Sequence, residues 1–203
     1  MNRAALIIFQ KNAVLGKVKT RLAASIGDEQ ALEVYRWLTD YTHEIVKKLE
    51  VDKFLFYSDY IPENPEGNLE GYQLEVQSGT NLGERMKNAF AHLFAKGYSS
   101  VAIIGTDCPD LTGRDLNSAF LALSQSDLVV GPAKDGGYYL LGMSKFIPEI
   151  FNNIPWSTSR VLELTLNLAD KLNLDYEFLQ ILSDIDNLED WNQFNTRKQI
   201  THE

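Results

Sequence analysis

Residues 4–9, "AALIIF", form an unbroken apolar run of strand length with no polar alternation. A strand covered on both faces of a parallel sheet reads this way, because neither face needs a polar side. A loop carrying Gly, Lys and Arg follows. From Asp28 onward Ala31, Leu32, Tyr35, Leu38, Ile45 and Leu49 keep helical spacing. Gly27 with Asp28 marks its start, so a long first helix is predicted. "KFLFY" (53–57) predicts a second strand, and residues 59–71, with two Pro, two Gly and three Glu, a polar loop. "YQLEVQ" (72–77) alternates as a half-buried strand does.

Leu82, Met86, Phe90, Leu93 and Phe94 share one helical face, and Gly97 is placed to end that helix. "VAIIG" (101–105) predicts the next strand. In "TGRDLNSAFLAL" Thr112 and Asp115 have capping-box spacing, with Leu116, Ala119, Phe120 and Leu123 as the buried face. "DLVVG" and "YYLLGM" flank "PAKDGG", where Asp-Gly between apolar segments is a strong hairpin signal. A helix around 158–172, a strand around "YEFLQIL" and a last short helix after "SDIDN" complete the pattern. Strands alternating with helices of this length predict an α/β fold: one domain over 1–203, with a largely parallel sheet covered on both faces.

Composition narrows the functional classes. With 203 residues the chain can bury roughly 70% of its unfolded surface without a covalent staple. No apolar run approaches the roughly 20 residues of a bilayer span, so membrane insertion is not expected. "MNRAALIIFQK" has too short an apolar core for a signal peptide and reads as the first strand. The single cysteine, Cys108, excludes an intramolecular disulfide and agrees with a reducing, cytoplasmic setting. A net charge of −9 argues against nucleic-acid binding, since the surface should repel phosphate backbones. The local exception is "KNAVLGKVKTR", where Lys11, Lys17, Lys19 and Arg21 fall together with no acid among them.

In open α/β sheets ligands collect beyond the carboxyl ends of strands, and four polar segments stand there. The basic loop after the first strand reads as an anion clamp or as a solvated loop; its local charge favours the clamp. It lacks the Gly-Lys-Ser/Thr ending of a P-loop. "QSGTNLGERM" offers Gly79 and Gly83 around a helix start, either for a base, ribose or anion or as a helix capped by Asn81 or Thr80. Asp107 in "GTDCPDL" reads as a ligand for Mg²⁺ or Mn²⁺ or as a turn cap ahead of Pro109. The cap reading is weakened because Asp110 and Thr112 can cap the next helix. A working thiolate at Cys108 would need an activating base, and His43 and His92 fall in predicted helices and His202 in the tail. "SDIDNLED" sets Asp184, Asp186, Glu189 and Asp190 at a helix start, where the macrodipole alone accounts for acids. Trp156 in "IPWSTSRV" is either a stacking wall for a sugar or base or a buried aromatic before the next helix.

With "GKVKTRL", "LGERM", "GTDCPDL", "GPAKDGGYYLLG", "PWSTSRV" and "SDIDNLED" in this order, nearly the whole chain resembles a small bacterial glycosyltransferase-like family. That family belongs to the nucleotide-diphospho-sugar transferase superfamily and was long labelled only a domain of unknown function. The resemblance implies a three-layer, Rossmann-like mixed, mainly parallel sheet of the glycosyltransferase A type. It implies an activated nucleotide and a divalent ion, Mg²⁺ or Mn²⁺, at the sheet's carboxyl edge. Lys19 and Arg21 match the loop that meets phosphates, and Gln77, Gly79, Leu82 and Gly83 the segment beside the base. Asp107 stands at the metal aspartate and Asp186 where relatives supply a second ligand. Asp135, Gly136 and Gly137, with Tyr138 and Trp156, fall where the acceptor would lie. Asp107 is followed by Pro109 rather than by the second acid of an Asp-x-Asp signature, and "KVKTRL" is similar to the loop of 2-phospholactate guanylyltransferase. Three functions are therefore carried forward. The first is a metal-dependent glycosyltransferase-like enzyme with a nucleotide-sugar donor and small-molecule acceptor, its catalytic residues Asp107, Lys19, Arg21 and Asp135. The second is a nucleotidyltransferase using a nucleoside triphosphate and a phosphorylated acceptor. The third is a nucleotide-binding protein without turnover. Oligomeric state is not legible.

Overall fold

The computed structural model describes residues 3–200; His202 lies outside them. Seven strands are present: β1 (Ala4–Gln10), β2 (Asp52–Tyr57), β3 (Tyr72–Val76), β4 (Ser100–Ile104), β5 (Leu128–Pro132), β6 (Tyr138–Met143) and β7 (Tyr176–Phe178). They form one sheet in the order β3-β2-β1-β4-β6-β5-β7. All neighbouring pairs are parallel except those of β6, which runs antiparallel to both β4 and β5. The reversal comes from the predicted hairpin: Ala133 N–H donates to the Gly137 carbonyl (3.0 Å) and Asp135 Oδ1 accepts from Gly137 N–H (2.8 Å).

The helices are α1 (Thr20–Ile26), α2 (Asp28–Lys47), α3 (Leu82–Ala95), α4 (Gly113–Ala122), α5 (Val161–Lys171) and α6 (Leu188–Ile200). Strand pleating assigns β1 to two cores. Ala5 and Ile7 face one side with Met86, Phe90 and Leu93 of α3 and Ala169 of α5. Leu6 and Ile8 face the other with Val46 of α2 and Leu116 and Ala119 of α4. Three layers result, as the continuous apolar strands require. Full burial of a side chain such as Phe90 or Leu93 contributes about 1.5–3 kcal/mol. A smaller third core joins Leu22 of α1, Ala31, Val34 and Leu38 of α2, and Phe194 of α6. No helix among the described residues is long and apolar enough to cross a membrane.

β7 covers only the first three residues of the expected "YEFLQIL" strand, and two further features depart from the sequence pattern. Residues 20–26, expected as loop, form α1; seven residues with only Leu22 and Ala23 buried are too few for a helical period to register. Asp110 does not cap α4. Thr112 and Asp115 make the full capping box alone, and Asp110 pairs with Arg197 of α6 at 2.8 Å.

Candidate functional site

β1 is flanked by β2 on one side and β4 on the other, so the winding of the sheet reverses between β1 and β4. The loops leaving their carboxyl ends diverge there, and in sheets of this kind that crevice is the usual ligand position. The loop after β1 is tied first to the loop after β2. Asn12, 5% exposed, donates through Nδ2 to the Tyr60 carbonyl (2.9 Å) and accepts at Oδ1 from Asp59 N–H (3.1 Å). Its amide pairs backbone groups of the loop after β2 that would otherwise be left unpaired. Nothing in the local pattern singled out Asn12.

The same loop ends on Lys19, whose φ of 48° is left-handed and whose backbone opens α1. A non-glycine residue there costs about 1–2 kcal/mol. The turn sends Val18 into the core and sets the Lys19 side chain, 5% exposed, across the crevice. Its Nζ donates to Asp107 Oδ1 and to the Ile185 carbonyl. An ammonium this enclosed needs such partners, since an unpaired buried charge costs several kcal/mol. The Ile185 N–H donates to the Asp107 carbonyl at 2.9 Å, which fastens the C-terminal segment to the β4 loop. One residue further, Asp186 pairs with Arg21 in the first turn of α1. Two cations after β1, one acid after β4 and one acid before α6 thus converge although they are up to 167 positions apart in sequence, Lys19 to Asp186. Half of the supposed unpaired basic loop therefore carries counter-charge from distant elements.

The four acids of "SDIDNLED" divide by position. Asp190 accepts from Asp186 N–H (3.0 Å) and Asn187 N–H (3.1 Å), and Asn187 accepts from Glu189 N–H (2.8 Å), so Asn187 and Asp190 serve the start of α6. Asp186 faces Arg21 instead. Asp184 lies toward the crevice: burial, then the negative charges of Asp107 and Asp135, raise its carboxyl to about 7 against the pull of Lys19. Cys108 is buried, and burial followed by the Asp184 charge pushes its thiol up, so it has none of the activation a nucleophile needs.

Asp107 and Asp186 are each half exposed, and their hard oxygens suit Mg²⁺ or Mn²⁺. Among the described residues no three His, Cys, Asp or Glu side chains are grouped to hold a metal by themselves. A site of two carboxylates matches an ion that takes its remaining oxygens from water and substrate phosphates.

The base-side segment lies elsewhere on the same edge. β3 is the outer strand, three strands from β4 and so about 14 Å away. Gln77 donates through Nε2 to the Phe56 carbonyl (3.0 Å), and Arg85 Nε donates to the Gly79 carbonyl (3.2 Å). Asn81 caps α3 by accepting from Glu84 N–H at 3.0 Å. Leu82 is exposed, whereas Gly83 is buried beneath Trp156. Trp156 in turn packs on Phe151 with ring centroids 6.1 Å apart, so it is a partly buried aromatic of the core rim.

The hairpin closes the opposite side. Asp135 has one oxygen engaged in its own turn, and the Gly136 carbonyl accepts from Leu162 N–H of α5 (2.9 Å). Tyr138 differs from expectation: its ring joins the α5-side core and its hydroxyl is enclosed beside Thr165, with burial raising its pKa. Strand alternation forces this, because Tyr139 takes the other face and donates to the Gln180 carbonyl at 3.0 Å. The structure therefore groups Lys19, Arg21, Asp107 and Asp186, sets Asp135 near them through Asp184, and holds Gln77, Gly79, Leu82 and Gly83 apart.

Residues 41–158 match the family described as "Uncharacterized protein conserved in bacteria (DUF2064)". No curated protein matches the chain. A crystal structure from Desulfovibrio desulfuricans G20, provisionally called a nucleotide-diphospho-sugar transferase, is 32% identical. It superposes with a TM-score of 0.88 over 95% of this chain and 86% of its own. CMP:2-keto-3-deoxy-manno-octonic acid synthetase complexed with CTP is 7% identical, with a TM-score of 0.61 over 98% of this chain and 100% of its own. Rv0371c from Mycobacterium tuberculosis H37Rv in complex with manganese is 10% identical, with a TM-score of 0.59 over 95% and 97%. The last two share the α/β fold alone. With over half its length inside the family match, this chain belongs to the DUF2064 family of bacterial proteins.

Proposed function

We propose that the protein is a metal-dependent transferase that uses a nucleoside diphosphate sugar and passes its sugar to a small acceptor. One observation carries the reading: Lys19, Arg21, Asp107 and Asp186 meet as two crossed ion pairs at the switch point of the sheet. Cations there suit a diphosphate and carboxylates suit a divalent ion, and a diphosphate–metal complex presents both charges. The 32% identical relative provisionally called a nucleotide-diphospho-sugar transferase supports the transferase class.

Asp107 and Asp186 would hold Mg²⁺ or Mn²⁺. When bound, the ion supplies charge neutralisation on the diphosphate leaving group. Lys19 and Arg21 would add positive charge where negative charge develops as the bond to that group breaks. The segment Gln77, Gly79, Leu82 and Gly83, about 14 Å along the edge, is the place for the base. Asp135, Gly136 and Gly137, in the hairpin whose Asp135 charge reaches Asp184, are the place for the acceptor, with Asp135 the candidate by location to take its proton.

A second reading rests on a specific feature of the same loop. Asp107 is a lone acid followed by Pro109, and in a nucleotidyltransferase one such carboxylate would serve a nucleoside triphosphate attacked at the α-phosphorus by an acceptor phosphate. A thermal-shift panel of nucleotide sugars and nucleoside triphosphates, with and without Mn²⁺, separates these. A ligand at 100 times its Kd stabilises the fold by about 2.7 kcal/mol. The sugar reading predicts Mn²⁺-dependent shifts with nucleotide sugars and release of a nucleoside diphosphate. Pyrophosphate release from a triphosphate would replace it with the second. Binding unchanged by a chelator and by Asp107→Ala would leave a nucleotide-binding protein without a metal-dependent reaction.

A further inference from the structure

Lys19 and Arg21 stand two positions apart in one basic loop, yet the structure treats them differently. Lys19 has 5% of its side chain exposed, contacts both Asp107 and the Ile185 carbonyl, and sits on a left-handed backbone. Arg21 has 75% of its side chain exposed and pairs with the half-exposed Asp186. The first pair is enclosed and cross-braced. The second is solvated, and such pairs contribute little and exchange partners easily.

Resting on the donor reading above, we infer that Arg21 and Asp186 form an exchangeable pair that couples anion and metal binding, while Lys19 is a positioning residue for Asp107. Without ligand, Arg21 occupies the Asp186 carboxylate. A diphosphate that takes the Arg21 guanidinium in bidentate fashion releases Asp186 for the metal, and a metal on Asp186 releases Arg21 for the anion. Each ligand then binds more tightly when the other is present, and the gain is equal in both directions. Lys19 does not take part in the exchange. Its withdrawal would leave an ammonium enclosed without its carboxylate, so it holds Asp107 at the β4 edge throughout.

Binding of Mn²⁺ alone, followed by the paramagnetic signal of the free ion, tests the first half on the full chain. Arg21→Gln is expected to bind Mn²⁺ two- to fivefold more tightly than wild type, about the range that an exposed pair supports. Lys17→Gln removes an equal charge from an exposed residue of the same loop and is expected to change affinity by less than about 1.5-fold. Inorganic pyrophosphate with EDTA present tests the second half. Asp186→Asn is expected to bind it two- to fivefold more tightly, and Glu189→Gln, the charge control, close to wild type. In a Lys19→Met background Arg21→Gln is expected to raise Mn²⁺ affinity by the same two- to fivefold, since Lys19 stands outside the exchange; loss of that gain would put Lys19 inside it. Equal Mn²⁺ affinity in wild type, Arg21→Gln and Lys17→Gln overturns the exchange and leaves the metal reading standing. Absence of Mn²⁺ binding in all three at millimolar concentration removes the metal reading, and the exchange with it. Unchanged pyrophosphate affinity in Asp186→Asn overturns the reciprocity by itself.

Discussion

A Cβ placed on Gly83 would lie 2.0 Å from the indole Nε1 of Trp156. The first turn of α3 and the segment before α5 therefore touch through a glycine and a tryptophan, and the contact leaves no room for a methyl group. Both residues were legible as candidates, one for the base and one for the acceptor. Their mutual packing was not.

Gly83→Ala is expected to displace the indole and to destabilise the fold by about 1–3 kcal/mol, the usual cost of overpacking. Its better helix propensity offsets less than about 1 kcal/mol of this. In a Trp156→Leu background the same substitution should cost much less. A urea double-mutant cycle measures the difference, and additive costs would show that the two residues do not press on one another.

Gly136 has φ 88° and its Cβ would fall 2.1 Å from the Ser159 carbonyl oxygen, a backbone atom that cannot swing aside. Gly136→Ala should cost about 2–4 kcal/mol, combining left-handed strain with the clash. Gly97 has nearly the same φ, 85°, and nothing within 4 Å. Gly97→Ala should cost only the backbone share, about 1 kcal/mol. Urea midpoints of the two variants compare the terms directly, and equal losses would mean that the Ser159 segment yields.

The Lys19–Asp107 pair is asymmetric, one partner enclosed and the other half exposed. Asp107→Asn strips an enclosed ammonium of its counter-charge and is expected to destabilise by roughly 1–3 kcal/mol. Lys19→Met leaves a carboxylate that water can solvate, so its cost should be smaller. Chemical denaturation without added metal ranks them, and a larger loss for Lys19→Met would contradict the assigned burial.

His43 shows how burial sets a pH dependence away from the site. Enclosed against Gln10, to which Nε2 donates at 2.8 Å, and beside Tyr72, its imidazole is lowered by burial to about 4. The unfolded chain takes up a proton near 6.5 and the native protein does not until lower pH. The stabilisation is present above about 6.5 and is lost as pH falls toward 4. A gap of about 2.5 pH units corresponds to about 3 kcal/mol. Subtracting the stability profile of His43→Gln from that of wild type isolates this change; a flat difference between pH 4 and 7 would place His43 in contact with water.

The strands, the long helices and the hairpin were legible because each depends on neighbours in the chain. "AALIIF" is apolar on both faces whatever packs against it, and "KDGG" turns on its own Asp135 and Gly136. The α/β class and the covered sheet follow from that local periodicity, and the general rule for open α/β sheets then points to the carboxyl edge as the place to look for a site. The residues of the proposed site, Lys19, Arg21, Asp107 and Asp186, could be named from their motifs. What only the tertiary structure decided is who faces whom. α1 escaped notice because seven residues carry too little period, Tyr138 turned inward because strand alternation reserves the other face for Tyr139, and Asn12 bridges two loops that are remote in sequence. Above all, local charge counted Lys19 and Arg21 as free cations. Long-range parallel strand pairing brings the ends of β1 and β4 side by side, and there the cations meet acids from positions 107 and 186. Charge interacts through space, and the spacing that matters exists only once the sheet has formed.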